Sequence, residues 1–242
     1  MTLLGHSSAK TEKGEQVGYL TGILYLAPHT LSGAGNVCPW AASCKKGCLN
    51  SAGKGAFSNV QKARIAKTRL FFTDRDAFME TLFEDCKSLI AKAKRLGLLP
   101  CIRLNGTSDL AFHRLTVPSQ DKTLMQCFPD VPFYDYTKSV KKALDNAKGL
   151  HSANYTVVFS RDSHSNEAEC QQVLSAGGNV AVVFRDSLPP TYWYRPVING
   201  DATDLRFLDR RAKAGHSGYV VGLKAKGQAK RDRSGFVVDA SN

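Results

Sequence analysis

Cys38, Cys44 and Cys48 stand in "NVCPWAASCKKGCLN", with five residues between the first two and three between the last two. Three of the chain's seven cysteines therefore share one turn-rich stretch, among Gly, Pro, Asn and Lys, where a core has no use for them. Thiolates are soft ligands suited to iron–sulfur clusters and zinc. Three of them hold three irons of a [4Fe–4S] cluster and leave the fourth iron open. Lys45 and Lys46 would offset such a cluster's negative charge, and Pro39 and Gly47 supply turn geometry. A structural zinc site is the alternative, and it takes four protein ligands. His29 in "APHT", or the remote Cys101, would be the fourth. A nucleophilic cysteine would need a histidine beside it. His29, His113, His151, His164 and His216 are too dispersed to nominate one. The remaining cysteines read as core: Cys86 and Cys170 lie on apolar helical stripes, and Cys101 and Cys127 adjoin apolar runs. "GKG" at 53–55 is not a phosphate loop, because the fuller "GxxxxGK[ST]" pattern is missing.

The elements that must position these thiols alternate. Apolar runs rich in Val, Ile, Tyr and Phe occur at 17–27, 101–105, 132–136, 155–160, 179–184, 196–199 and 218–224. Several are apolar on both faces, as strands of a helix-covered parallel sheet are. Between them, 74–96 carries one apolar stripe that starts at Thr73 or Asp74 and stops at Gly97. Ser139, Ser165 and Asp204 read as caps of helices over 140–149, 166–177 and 203–215. The expected fold is α/β: a partial (β/α) barrel of about six or seven mostly parallel strands, with the cysteine loop after the first. One domain is expected, with a core over 17–224 and a basic tail over 225–242.

In such folds ligands bind at the carboxyl ends of the strands. There the sequence places Asn105, Gly106, Thr107, Ser108 and Asp109, then Thr137 and Lys138, then Ser160, Arg161, Asp162 and His164, then Arg185 and Asp186. Arg161 and Arg185 directly follow apolar strands and are poor caps, so they are candidates to grip a carboxylate or phosphate.

Net charge is +12, with 33 Lys and Arg against 21 Asp and Glu. A surface of that sign attracts polyanions, and a nucleotide or nucleic acid is the expected partner. Basic residues recur at 62–69, 92–95, 209–213 and 224–233. No apolar run is long enough to span a bilayer. The opening "MTLLGHSSAKTEKGEQ" lacks the pattern of a secretory signal, so a reducing cytoplasm is expected, the host's if the chain is phage-encoded.

The cysteine loop, then "CIRLNGTSDLAF", then "VPFYDYTKS" resemble a family of bacteriophage proteins of the gene-product-eighty-eight type. In that family a cysteine-rich loop precedes segments like "R-x-x-x-S-G-D" and "F-Y-x-Y-T-K/R-S". The likeness covers roughly residues 20 to 165, and "FYDYTKS" is its most specific part. The family is in turn similar to the radical S-adenosylmethionine (SAM) enzymes, although the cysteine spacing here is wider than theirs. That resemblance implies a [4Fe–4S] cluster on Cys38, Cys44 and Cys48. It implies Asn105, Gly106, Thr107, Ser108 and Asp109 near the methionine amino group, and Ser160 and Arg161 near the ribose or carboxylate of SAM. Asp109 and Arg161 would be the catalytic pair, and Arg185 would join the cofactor-binding set. The competing reading is a non-enzymatic nucleic-acid-binding protein whose cysteines close a structural zinc or iron–sulfur site.

Overall fold

The computed structural model describes every residue except 7–8, 46–47, 49, 51–52, 214 and 241–242, and it leaves the side chains of residues 9, 10 and 164 undescribed. Lys46 and Gly47 of the cysteine loop thus lie outside the described residues. The chain forms two compact units: Met1–Pro39 with Gly53–Asp135 and Ser152–Tyr155, and Trp40–Ala52 with Tyr136–His151 and Thr156–Asn242.

In the first unit, β1 (Leu4–Gly5) pairs antiparallel with β2 (Tyr19–Leu24). β2 pairs in parallel with β3 (Leu99–Arg103), which pairs in parallel with β6 (Phe133–Thr137). A small antiparallel pair, β4 (Thr116–Val117) and β5 (Lys122–Thr123), follows β3. Its helices are α1 (Ala9–Glu15), α2 (Ser58–Thr73), α3 (Arg75–Leu96) and α4 (Leu124–Cys127). α3 starts and stops where its sequence says. The Asp74 carboxylate caps the Ala77 N–H at 3.0 Å, and Gly97 takes the left-handed φ of 67° that ends a helix. Its stripe of Phe78, Leu82, Cys86, Leu89 and Ala93 is buried.

In the second unit, β7 (Tyr155–Ser160), β8 (Val180–Phe184), β11 (Val220–Lys224) and β10 (Arg195–Asn199) are parallel neighbours in that order. β9 (Thr191–Tyr192) closes an antiparallel hairpin onto β10, and β12 (Val237–Val238) pairs in parallel with the end of β8. α5 (Val140–Ala147) and α6 (Glu167–Ser175) cover the sheet through Ala143, Cys170, Val173 and Leu174.

An α/β architecture with mostly parallel strands is what the apolar runs lead one to expect, and each of those runs is a strand. Among the described residues neither unit closes into a barrel. Three local expectations are corrected. Among the described residues of 203–213, the only helical turn is a short one at Arg206–Leu208. The Arg206 side chain is buried and bonds to the Asp204, Gly200 and Thr203 carbonyls and to Asp209, so it supports a compact loop in place of a helix. No α-helix therefore starts at Asp204. Ser165 is displaced as a cap by Asn166, which directly precedes α6. Finally, residues 225–238 are docked: Ala225, Ala229 and Val237 form an apolar cluster of their own with Val183 and Phe236. No helix of the described residues is long and apolar enough to cross a membrane.

Candidate functional site

Cys38 belongs to the first unit, at the end of the loop that follows β2. α2 supports that loop. Thr68 Oγ1 accepts the Ala27 N–H at 2.8 Å, Arg69 Nε donates to the Ser32 carbonyl at 3.1 Å, and Gly35 lies so close to the Phe72 ring that a Cβ would meet it at 2.4 Å. His29 holds a left-handed φ of 43°. Its N–H then donates to Cys38 Sγ at 3.3 Å, the interaction that lowers the energy of a thiolate. Cys38 Sγ also lies 3.5 Å from the Thr107 carbonyl, and the Asp109 N–H donates to the Val37 carbonyl at 2.8 Å. The segment after β3 is therefore bonded directly to the first cysteine and its neighbour.

That segment is rigid for reasons visible in its bonds. Asn105 is buried, and its side-chain amide donates to the Leu110 carbonyl and to Asp135 while its oxygen accepts from Ser108 Oγ and the Leu110 N–H. All four of its side-chain bonding positions are filled within the protein. Gly106 approaches the end of β2 so closely that a Cβ would stand 2.7 Å from Tyr25 and 2.8 Å from Ile23 and the Leu24 carbonyl. Thr107 Oγ1 donates to the Leu26 carbonyl at 2.5 Å. Of the five predicted residues, Asn105, Gly106, Thr107 and Ser108 build the turn, and Asp109, half-buried, is the charged group it presents. Asp135, in "FYDYTKS", is the anchor beneath: it accepts from the Asn105 N–H at 2.7 Å and from Tyr155 OH at 2.8 Å. Burial, and then the Asp135 charge beside it, push the Tyr155 phenol well above its ordinary value.

Cys44 and Cys48 belong to the second unit and are half-buried. Cys44 sits in a single tight turn, Ser43–Lys45. Asp162, two residues past β7, caps that turn: its carboxylate accepts the Ser43 N–H at 3.0 Å and the Cys44 N–H at 3.2 Å. Lys138, the lysine of "FYDYTKS", pairs with the same carboxylate at 3.3 Å and donates to the Ser160 and Arg161 carbonyls. Burial opposes ionisation of Asp162, but Lys138 and the two amides outweigh it and hold the carboxyl below its ordinary range. Burial pushes the Cys44 thiol up, with Lys138 pulling back.

Arg161 and Arg185, expected to grip a carboxylate or phosphate, both bond to groups of the protein itself. Arg161 is 1% exposed and gives its guanidinium to Glu167 at 3.0 Å and to the Gly235 carbonyl at 2.6 Å. Arg185 bonds to Asp239 and to the Lys230 and Asp232 carbonyls. Both use their charge to fasten the C-terminal segment over the ends of β7 and β8. Ser160 faces Lys138, whose Nζ lies 3.4 Å from its hydroxyl. Lys138 and Asp162, which the sequence places at the strand ends without a role, are thus the pair that fixes the Cys44 turn. The signal was there: a lysine inside the most specific motif, and an aspartate beside an arginine that burial claims.

None of the seven cysteines is in a disulfide. Cys86, Cys101 and Cys170 are buried as expected, and Cys101 is engaged with Thr21 Oγ1 at 3.3 Å inside the sheet, which makes it a poor fourth zinc ligand. Cys127 is only half-buried. As donors, Cys38, Cys44 and Cys48 suit an iron–sulfur cluster in type: all three are half-buried thiols outside any disulfide, and Cys38 and Cys44 are held by hydrogen bonds. Among the described residues no three His, Cys, Asp or Glu side chains are gathered within a metal's reach.

No curated protein and no solved structure matches the chain. The family model described as Gene product 88 matches residues 2–240, nearly the whole sequence, and the chain belongs to that phage-type family.

Proposed function

We propose that Cys38, Cys44 and Cys48 hold a [4Fe–4S] cluster and that the protein is a radical-SAM-like enzyme acting on a nucleotide or nucleic acid. The observation that carries this reading is the bonding of the cysteine turns to strand-end segments. Cys38 is fastened to Thr107 after β3. The Cys44 amide is fastened to Asp162 after β7. Anchoring bonds of this kind orient ligand side chains and support a site at these cysteines. A cluster held by three thiolates supplies one electron and an open coordination position. The chain's own residues supply the rest. The rigid 105–108 turn presents the Asp109 carboxylate, which would bind the SAM amino group by charge. Lys138 and Asp162 hold the Cys44 turn still. The docked C-terminal segment covers Lys138 with the Phe236 ring, 5.3 Å from its ammonium, and keeps water from that corner.

The test is SAM turnover by the anaerobically reconstituted, dithionite-reduced protein, alongside equilibrium SAM binding. Wild type should bind SAM and release 5′-deoxyadenosine, and Asp109→Asn should weaken SAM binding at least tenfold. Equal SAM affinity in wild type and Asp109→Asn would remove the enzyme reading and leave the structural metal site.

A further inference from the structure

The second unit carries 18 Lys and Arg against 10 Asp and Glu, which is +8 of the chain's +12. Part of that excess lies along the amino ends of its parallel strands, away from the cysteine turns. The segment that feeds β11 runs across the entry to β8. Asn179 accepts the Tyr219 N–H and donates to the Arg210 carbonyl, both at 2.9 Å, while Ala212 and the His216 carbonyl lie 3.5 Å from where a Cβ on Gly177 would stand. Arg211 reaches Thr156 at the start of β7. α5 ends at Ala147, beside Gly178, and Lys148 follows it. Lys148, Arg210, Arg211 and Lys213 are all exposed along this edge. Asp209, the acidic residue next to Arg210, has its side chain buried against Arg206 at 3.1 Å and offsets none of them at the surface.

The β9–β10 hairpin ends on the same edge. Tyr192 pairs with Arg195, so Trp193 and Tyr194 alone make the turn. Both hold left-handed backbone, φ 52° and 58°. Such turns favour Asn-Gly, and bulky aromatics strain them. Trp193 repays part of this by packing on the core and on Tyr192, ring centroids 4.5 Å apart. Tyr194 repays nothing, since its side chain is wholly exposed. Strain kept for the sake of a solvent-facing aromatic points to a binding role.

We infer that this edge binds single-stranded nucleic acid, with Tyr194 stacking on a base and Lys148, Arg195, Arg210, Arg211 and Lys213 taking phosphates. Interleaved aromatic and basic side chains are how single strands are held without sequence readout. Four neighbouring strands at about 4.8 Å spacing give an edge of about 15 Å, the length of two or three nucleotide steps. Only the choice of polyanion leans on the substrate class proposed above, and the cluster does not enter.

The experiment is fluorescence anisotropy of the full chain with a labelled oligothymidylate of about 20 nucleotides, longer than the site sizes such surfaces cover, across a salt series. Tyr194→Gly should weaken binding about tenfold, the loss of one stacked base. It should do so without lowering the urea midpoint, because glycine relieves the left-handed turn. Tyr194→Phe should bind as wild type does. The R210S/R211S/K213S triple should lower the salt slope by about 2, while K92S/K94S/R95S at the end of α3 should leave it unchanged. The Cys38/Cys44/Cys48→Ala variant should still bind, so failure of the cluster reading would not be mistaken for failure here. Undiminished binding by Tyr194→Gly, or an equal fall in slope in the α3 triple, would overturn the inference. So would equal affinity for a duplex of the same length.

Discussion

Replacing Asp162 by Asn keeps the shape of the side chain and removes the charge on which the Cys44 turn depends. Three groups converge on that carboxylate: the Ser43 and Cys44 amides at 3.0 and 3.2 Å and Lys138 at 3.3 Å. The side chains of Asp162 and Lys138 are only 7% and 12% exposed, so solvent does little to screen the pair. An asparagine can accept one amide, but its NH2 must then face the second donor or the ammonium. Stripping one partner from a buried pair costs about 3–5 kcal/mol. Lys138 keeps its bonds to the Ser160 and Arg161 carbonyls, which places the expected loss at the low end, about 3 kcal/mol. Urea unfolding of the metal-free chain measures it. In the double variant Lys138→Met/Asp162→Asn the two losses should fall short of additive by about 2 kcal/mol, since each single change already breaks the pair. Alkylation of Cys44, followed by peptide mass spectrometry, should quicken in Asp162→Asn as the turn opens. A loss under 1 kcal/mol with additive double-variant energies would refute the clamp.

Gly106→Ala should cost about 1–3 kcal/mol in thermal or urea unfolding, because the new Cβ meets Tyr25, Ile23 and a backbone carbonyl within 2.8 Å and none can yield freely. Arg161→Ala should release the C-terminal segment, which limited trypsin digestion would show as early cleavage after Lys230, Arg231 or Arg233; wild-type digestion kinetics would contradict the role given to Arg161. Burial pushes Asp209 up to about 6, with Arg206 pulling back. A carboxyl whose folded pKa lies above its unfolded value favours the folded state while protonated, so this residue's contribution is greatest below about pH 4 and is lost as pH rises through about 6. About two pKa units correspond to roughly 3 kcal/mol. Asp209→Asn should flatten that part of the stability–pH curve.

The fold was legible where composition and period agree. Runs such as "YTVVFS" and "NVAVVF" can only be buried strands, and Asp74 and Gly97 bracket α3 by chemistry that is local. It was illegible where a single side chain overrides its neighbours. Residues 203–215 carry a helix pattern, yet the burial of Arg206 folds 203–213 into a loop, and nothing local announces that burial. The C-terminal segment looked like a solvated tail because its lysines and arginines dominate the count. The apolar "FVV" at 236–238 was the clue that it docks. At the site, thiols in a polar loop stand out by type and spacing alone. Arginines after strands do not declare their partners: Arg161 and Arg185 serve backbone carbonyls and carboxylates of their own unit. Lys138 and Asp162 stand in the sequence at strand ends, but their pairing does not show there, since a lysine before a cap and an aspartate after a strand are what any solvated loop contains.

The claim that Cys38, Cys44 and Cys48 hold an iron–sulfur cluster is tested most directly by iron, sulfide and zinc content. The comparison is between wild type and the Cys38/Cys44/Cys48→Ala variant, both expressed and purified without oxygen. About four irons and four sulfides per chain, absent from the variant, is the result expected of a [4Fe–4S] site. One zinc per chain with no sulfide, or iron retained by the variant, would contradict it.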